Sequence, residues 1–301
     1  MNMRNSSGLA KVAGGLRRIA LAMVLVTAAT AASANPPAAR GNDGYLALGD
    51  SVVFGYITAA GYAWGNAMNF LGYPDYIGAN LRFSVANASC PGETTSGFIN
   101  ANGPDNGCRP YRANFPLHVN YPTTQLDYAV SYLKSHKQTR LVTIGLGAND
   151  AFLLQSACGG DIGCIQAGLP TLLGTIYGNM SLILQNLRAT GYRGVIIVAN
   201  YYSTDYTDPV QTGFTVAINQ YLAAAADANG AVVADVFAAF QNATLPAGGK
   251  TCVAGLLNTT PANAGLPPPL WTCDVHPSLS GQQLLARTVA QTYSSVSRSH
   301  K

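Results

Sequence analysis

The chain has 301 residues, of which 48% are apolar and only 10% charged, enough for one large domain with a substantial core or for two small ones. It has no internal repeat and no long charge run, and its single glutamate, Glu93, argues against a surface built from salt-bridged helices. Of its cations, Arg4, Lys11, Arg17 and Arg18 fall in the first 34 residues. Beyond them 13 basic residues face 13 acidic ones, which removes the electrostatic ground for binding nucleic acid or anionic membranes.

Those four cations precede the apolar run "IALAMVLVTAATAA", and Ala32-Ser33-Ala34 follows as a small-x-small cleavage pattern. The segment reads as a secretory signal peptide cut after Ala34. Its run of about 14 residues is shorter than the roughly 20 needed to span a bilayer. No later segment reaches spanning length without Gly, Pro or charge, so the mature chain is expected to be secreted, with no membrane-integral segment. Residues 35–43, "NPPAARGND", form a flexible lead-in to a domain over 44–301.

Five short β-rich runs follow, at 45–50, 82–89, 141–148, 194–202 and 230–237. Most are continuously apolar, as strands buried on both faces are. Helical periodicity lies between them. In 123–134, Leu126, Ala129, Val130 and Leu133 share one face behind Thr123 as N-cap. Further helices are expected over 169–191, over 212–230 with an Asn-Gly stop, and over 278–296. Strand and helix alternate throughout, which predicts one parallel sheet with helices on both faces and a ligand site beyond the strands' carboxyl ends. Three connections at that edge, 88–122, 149–168 and 238–273, read as long and irregular. Loops of that length are usually functional or tethered.

Cys90, Cys108, Cys158, Cys164, Cys252 and Cys273 make an even set in an exported chain, which favours three disulfides. Fifteen pairings are possible, and the clustering favours Cys90–Cys108, Cys158–Cys164 and Cys252–Cys273, one in each long connection. A zinc site is disfavoured, since there is no C-x-x-C pair and the four histidines are widely spread.

The run "YLALGDSVVFGY" (45–56) puts Ser51 just past the end of the first strand. A nucleophilic serine needs a base. His300 is terminal, His136 ends a helix and His118 sits in a Pro-rich loop, whereas His276 lies in "CDVHPSLSG", just before the last helix and two residues after Asp274. A neutral imidazole accepts the serine proton at one nitrogen while the other donates to a carboxylate. Acyl transfer also needs donors for the developing oxyanion. Gly92, in "ANASCPGETTSG", offers an unobstructed backbone N–H, and Asn149, in "GLGAND", a side-chain amide. Taken singly, Gly92 reads as readily as a turn residue and Asn149 as a helix cap.

Taken in order, Gly-Asp-Ser after strand one, Gly92 after strand two, Gly-x-Asn-Asp after strand three and Asp-x-His before the final helix resemble the SGNH (GDSL-type) hydrolases. The motifs span residues 49–276. The resemblance implies a single domain with a flavodoxin-like α/β/α sandwich around a five-stranded parallel sheet. It implies Ser51 as nucleophile and, through its N–H, one oxyanion donor, with Gly92 and Asn149 as the others, His276 as base and Asp274 as its partner. Val52 stands where the family often has Leu, a packing change only. One residue separates Asp274 from His276 where many members have two, and some secreted bacterial members with three sequential disulfides use a backbone carbonyl in place of the acid.

The function implied is a secreted ester hydrolase working through an acyl-enzyme, as a monomer and without metal or cofactor. The loop "LLNTTPANAGLPPPLW" (256–271) is apolar enough to line an acyl pocket, which favours lipid or other acyl-chain esters. Tyr62 and Trp64 offer instead a stacking surface for a sugar, which keeps a carbohydrate or acetyl esterase as the alternative. A non-catalytic binding protein on the same scaffold is a third reading, against which stands the retention of Ser51, Asn149 and His276.

Overall fold

Five apolar segments pair into one parallel sheet: β1 (Gly44–Gly49), β2 (Ser84–Asn87), β3 (Thr139–Gly145), β4 (Val195–Ala199) and β5 (Val232–Ala234), in the order β2-β1-β3-β4-β5. The computed structural model describes residues 44–260, 267 and 270–299. The expected signal segment, the lead-in and His300 lie outside the described residues.

Alternation along each strand sends side chains to two separate cores. Leu46, Leu48, Val142, Ile144 and Val198 pack with α5 (Gln125–Ser135), α7 (Ile162–Ala189) and α8 (Pro209–Ala228). Tyr45, Ala47, Leu141 and Ile197 pack on the opposite face with α2 (Tyr73–Leu81), α9 (Val236–Thr244) and α10 (Leu279–Ser299). The result is the three-layer α/β/α sandwich that the alternating pattern predicts.

Several boundaries differ from the sequence expectation. Thr124, not Thr123, caps α5, through a reciprocal box with Asp127. α7 begins at Ile162 behind the cap Asp161 and runs through Pro170, seven residues before the expected start at 169. The fifth strand stops at Ala234 because Asp235 caps α9. The connections read as irregular are partly helical: α3 (Thr95–Ile99) and α4 (Cys108–Asn114) lie in the first, α6 (Ala148–Ala157) and the start of α7 in the second, and α9 in the third. α3, α4 and α9 are short and α6 is capped at Gly147, so periodicity gives them little signal. All three disulfides pair in sequence order.

By length and composition α7 is apolar enough to cross a membrane. Its Leu172, Leu173, Ile176, Met180, Ile183, Leu184 and Leu187 are buried at three- and four-residue spacing, which is the stripe of a core helix.

Candidate active site

β1 ends against β3 with no room for a side chain. Gly49 has φ +146°, and a Cβ there would lie 2.3 Å from Gly145 O, so glycine alone lets the strands converge before the chain turns. Gln125, fully buried, clamps this turn from α5: its Oε1 accepts from Gly49 N at 2.6 Å and its Nε2 donates to Gly49 O at 3.1 Å. Asp50 then caps the single-turn helix α1 (Ser51–Phe54) by accepting from Val52 N at 2.9 Å. Ser51 is therefore the first helical residue. Its N–H belongs to the set a helix leaves without an internal acceptor.

Asp50 is itself buried. Burial pushes its carboxyl up to about 6 against the opposing pull of the Tyr201 hydroxyl, which donates to it at 2.6 Å. Asn219 holds Tyr201 through both backbone groups, at 2.9 and 2.7 Å. The end of β4 thus braces the residue next to Ser51.

The candidate base, His276, arrives on an antiparallel hairpin of β6 (Leu257–Thr259) and β7 (Cys273–Pro277). In a strand, residues two apart share a face, so Asp-x-His sets Asp274 and His276 side by side. The Cys252–Cys273 disulfide anchors the start of β7, and the Tyr202 hydroxyl donates to Val275 O at 2.6 Å. His276 Nε2 lies 2.9 Å from Ser51 Oγ. Its Nδ1 is 3.5 Å from Asp274 Oδ1 and 3.2 Å from Thr58 Oγ1. Asp274 Oδ1 accepts the main-chain N–H of His276 at 2.7 Å. Burial would raise the Asp274 carboxyl, but the neighbouring His276 ring and the hydrogen bond from the His276 main-chain N–H outweigh it and hold Asp274 below its ordinary value.

Asn149 is the second residue of α6, which is capped at Gly147, so Asn149 is not the cap. Its Nδ2 donates one hydrogen to Glu93 O at 3.0 Å, and its Oδ1 accepts from Asn106 Nδ2 at 2.8 Å. An amide nitrogen has two hydrogens, so one is left to point elsewhere. Gly92 adopts φ +84°, and a Cβ there would lie 2.5 Å from Asn106 O and 2.8 Å from Cys108 N. The Cys90–Cys108 disulfide holds that segment against it, and Cys90 N donates to Gly49 O at 3.0 Å. Asp150 accepts from Thr95 N and Thr95 Oγ1 at 2.9 and 2.6 Å, tying α3 to α6. Glu93 and Asp105 lie close to Cys108, but its sulfur is spent in the disulfide and offers no thiolate.

Ser51, Asn149 and His276 line one cavity of about 630 Å³, walled by apolar side chains of α6, α7 and α8, among them Phe152, Ile165, Leu169, Phe214 and Ile218. The Cys158–Cys164 bridge links the end of α6 to the first turn of α7 at its rim. Gly92 does not line this cavity. Of the 256–271 loop, residues 261–266, 268 and 269 lie outside the described residues; among the described residues the apolar wall comes from helices. Trp64 packs its ring against Tyr56 and Phe115 and donates to Ile57 O at 3.2 Å; the side chain of Tyr62 lies outside the described residues. Sequence reasoning missed Thr58, Gln125, Tyr201 and Asn106. Glu93 alone carried a signal, as the only glutamate in the chain and inside the Gly92 motif.

Residues 47–284 match the GDSL-like Lipase/Acylhydrolase family. The chain belongs to this family. No curated protein matches it in sequence. Among solved structures it is similar to phospholipase A1 from Streptomyces albidoflavus (18% identity, TM-score 0.53, covering 83% of this chain and 98% of that one). It is also similar to a variant of an acetyl xylan esterase from Geobacillus stearothermophilus (17% identity, TM-score 0.50, 84% and 97%). A third similar structure is an alpha/beta hydrolase from the metagenome of Lake Arreo (14%, 0.50, 84% and 96%). At these identities the likeness concerns the fold. The five-stranded parallel sandwich of this hydrolase family is therefore common to enzymes of different ester classes, and substrate has to be argued from the site.

Proposed function

We propose that this hydrolase is a secreted serine esterase acting on acyl-chain esters. The observation that carries the reading is the 2.9 Å contact between His276 Nε2 and Ser51 Oγ at the edge of an apolar cavity of about 630 Å³. Ser51 Oγ attacks the ester carbonyl as His276 Nε2 takes its proton. The carbonyl oxygen becomes an oxyanion, met by the N–H groups of Ser51 and Gly92 and by the free amide hydrogen of Asn149. Collapse breaks the bond to the alcohol, which leaves with the proton from His276. Water, deprotonated by the same imidazole, then releases the acid from Ser51.

Every group in this scheme comes from one chain, so catalysis calls for no partner subunit or cofactor. Residues 1–34 serve as the export signal and 44–301 as the catalytic domain, and three disulfides suit an oxidising compartment. The cavity wall favours a hydrocarbon chain over an acetyl group, which would leave most of that volume unfilled. A panel of p-nitrophenyl esters from acetate to palmitate, with phospholipid and acetylated xylan alongside, tests the reading. Turnover should rise beyond acetate as the acyl chain fills the cavity. Activity confined to acetylated xylan would transfer the chain to the carbohydrate esterases, and no turnover on any arm would favour the binding protein.

A further inference from the structure

We propose that the hydroxyl of Thr58 bridges His276 and Asp274 and is the direct partner of the base, so that Thr58 is a positioning residue for the reaction. The proposal rests on the reading of Ser51 as nucleophile and His276 as base.

The Asp-x-His spacing leaves a gap that another group fills. β7 brings the two side chains to one face, but the carboxylate turns back onto its own strand. Asp274 Oδ1 accepts the His276 main-chain N–H at 2.7 Å and stands 3.5 Å from Nδ1, beyond the usual range for an N–H···O bond. Thr58 Oγ1 is nearer, at 3.2 Å from Nδ1, and the same hydroxyl is among the groups that hold the Asp274 carboxyl below its ordinary value.

Proton bookkeeping fixes the direction of each bond. Nε2 must be unprotonated to receive the Ser51 proton, so in the resting tautomer Nδ1 carries the hydrogen. Thr58 Oγ1 therefore accepts from Nδ1, and its own single hydrogen is left to donate to Asp274. The order is carboxylate, hydroxyl, imidazole, serine. When Nε2 gains the serine proton, the positive charge on the ring is met by a hydroxyl oxygen already polarised by the carboxylate. No proton passes through Thr58.

The chain delivers Thr58 by a short path. It follows α1 closely and opens the 3₁₀ segment Thr58–Gly65. The segment is pinned at both ends, by Trp64 Nε1 to Ile57 O at 3.2 Å and by Asn69 Nδ2 to Ala63 O at 2.9 Å. Tyr56 meets the His276 ring edge-on at 5.0 Å. Nucleophile, ring support and bridge thus come from one stretch of chain.

Three variants, Thr58→Val, Thr58→Ser and Ser51→Ala, test this on the most reactive p-nitrophenyl ester, with the downfield ¹H resonance of the His276 Nδ1–H followed in parallel. Thr58→Val keeps the shape and removes the hydroxyl. Its kcat should fall roughly ten- to a hundredfold with KM nearly unchanged, as for loss of one hydrogen bond to a charged group, and the resonance should move. Thr58→Ser should restore most of kcat and the wild-type resonance. Wild-type kcat and an unmoved resonance in Thr58→Val overturn the bridge, as does a Thr58→Ser variant no better than Thr58→Val. If Ser51→Ala keeps full turnover, the nucleophile assignment itself fails and the bridge with it. Loss in Ser51→Ala together with an unaffected Thr58→Val removes the bridge alone.

Discussion

Replacing Glu93 by glutamine should stabilise the protein at neutral and alkaline pH, by an amount that grows with pH. Glu93 is 3% exposed. Burial, and after it the charge of Asp105, push its carboxyl from 4.5 up to about 8, against smaller favourable contributions from Gln125, Arg112 and the Thr94 N–H. Below a pH of about 4.5 both folded and unfolded chains hold this proton. Between about 4.5 and 8 only the folded state holds it, so stability falls as pH rises. Above that window both states have lost it and the slope ends. At roughly 1.4 kcal/mol per pH unit, the window is worth on the order of 4–5 kcal/mol, of which about 3 is lost by about pH 7. Glutamine keeps an oxygen to accept from Gln125 Nε2, which lies 3.3 Å from Glu93 Oε2, and cannot ionise. Asp50, raised to about 6, gives the same slope in both proteins and cancels in the difference. Urea midpoints of the two proteins with disulfides intact, from about pH 5 to about pH 9, measure it. The gap should widen with pH and then level off. A pH-independent gap, or a wild type that gains on the variant as pH rises, would refute the reasoning.

Two further outcomes follow from the cavity and its polar edge. Asn149→Ala should lower kcat by roughly a hundred- to a thousandfold with KM nearly unchanged, because its amide hydrogen acts on charge that exists only in the transition state; steady-state kinetics that show a rise in KM alone would count against that role. Ile165→Trp should fill part of the apolar wall and depress turnover of long-chain p-nitrophenyl esters while sparing acetate, whereas an equal loss at every chain length would mean the cavity does not receive the acyl group.

The sheet was legible because its strands are buried on both faces and therefore continuously apolar, as Leu46–Leu48 and Ile196–Ala199 illustrate. The motif residues were legible because they sit where strands end. Gly49 and Gly92 occupy positive-φ positions with backbone packed where a Cβ would be, and Asp274 and His276 share a strand face. Much of what supports them was not legible. Gln125 reaches Gly49 from another layer, Tyr201 reaches Asp50 across about half the chain, and Thr58 reaches His276 across more than two-thirds of it. No local pattern marks a hydrogen bond between residues so far apart. The helical part of the cavity wall was not legible for a similar reason: it forms from faces of α6, α7 and α8 that become adjacent only when the sandwich assembles.

The central claim is that Ser51 is a nucleophile activated by His276. Mass-spectrometric mapping of a fluorophosphonate adduct on the folded, disulfide-intact protein tests it most directly. The account predicts a single adduct on the peptide carrying Ser51, greatly slowed by His276→Ala and absent in Ser51→Ala. An unlabelled Ser51 in folded protein, or an adduct formed equally fast without His276, would contradict it.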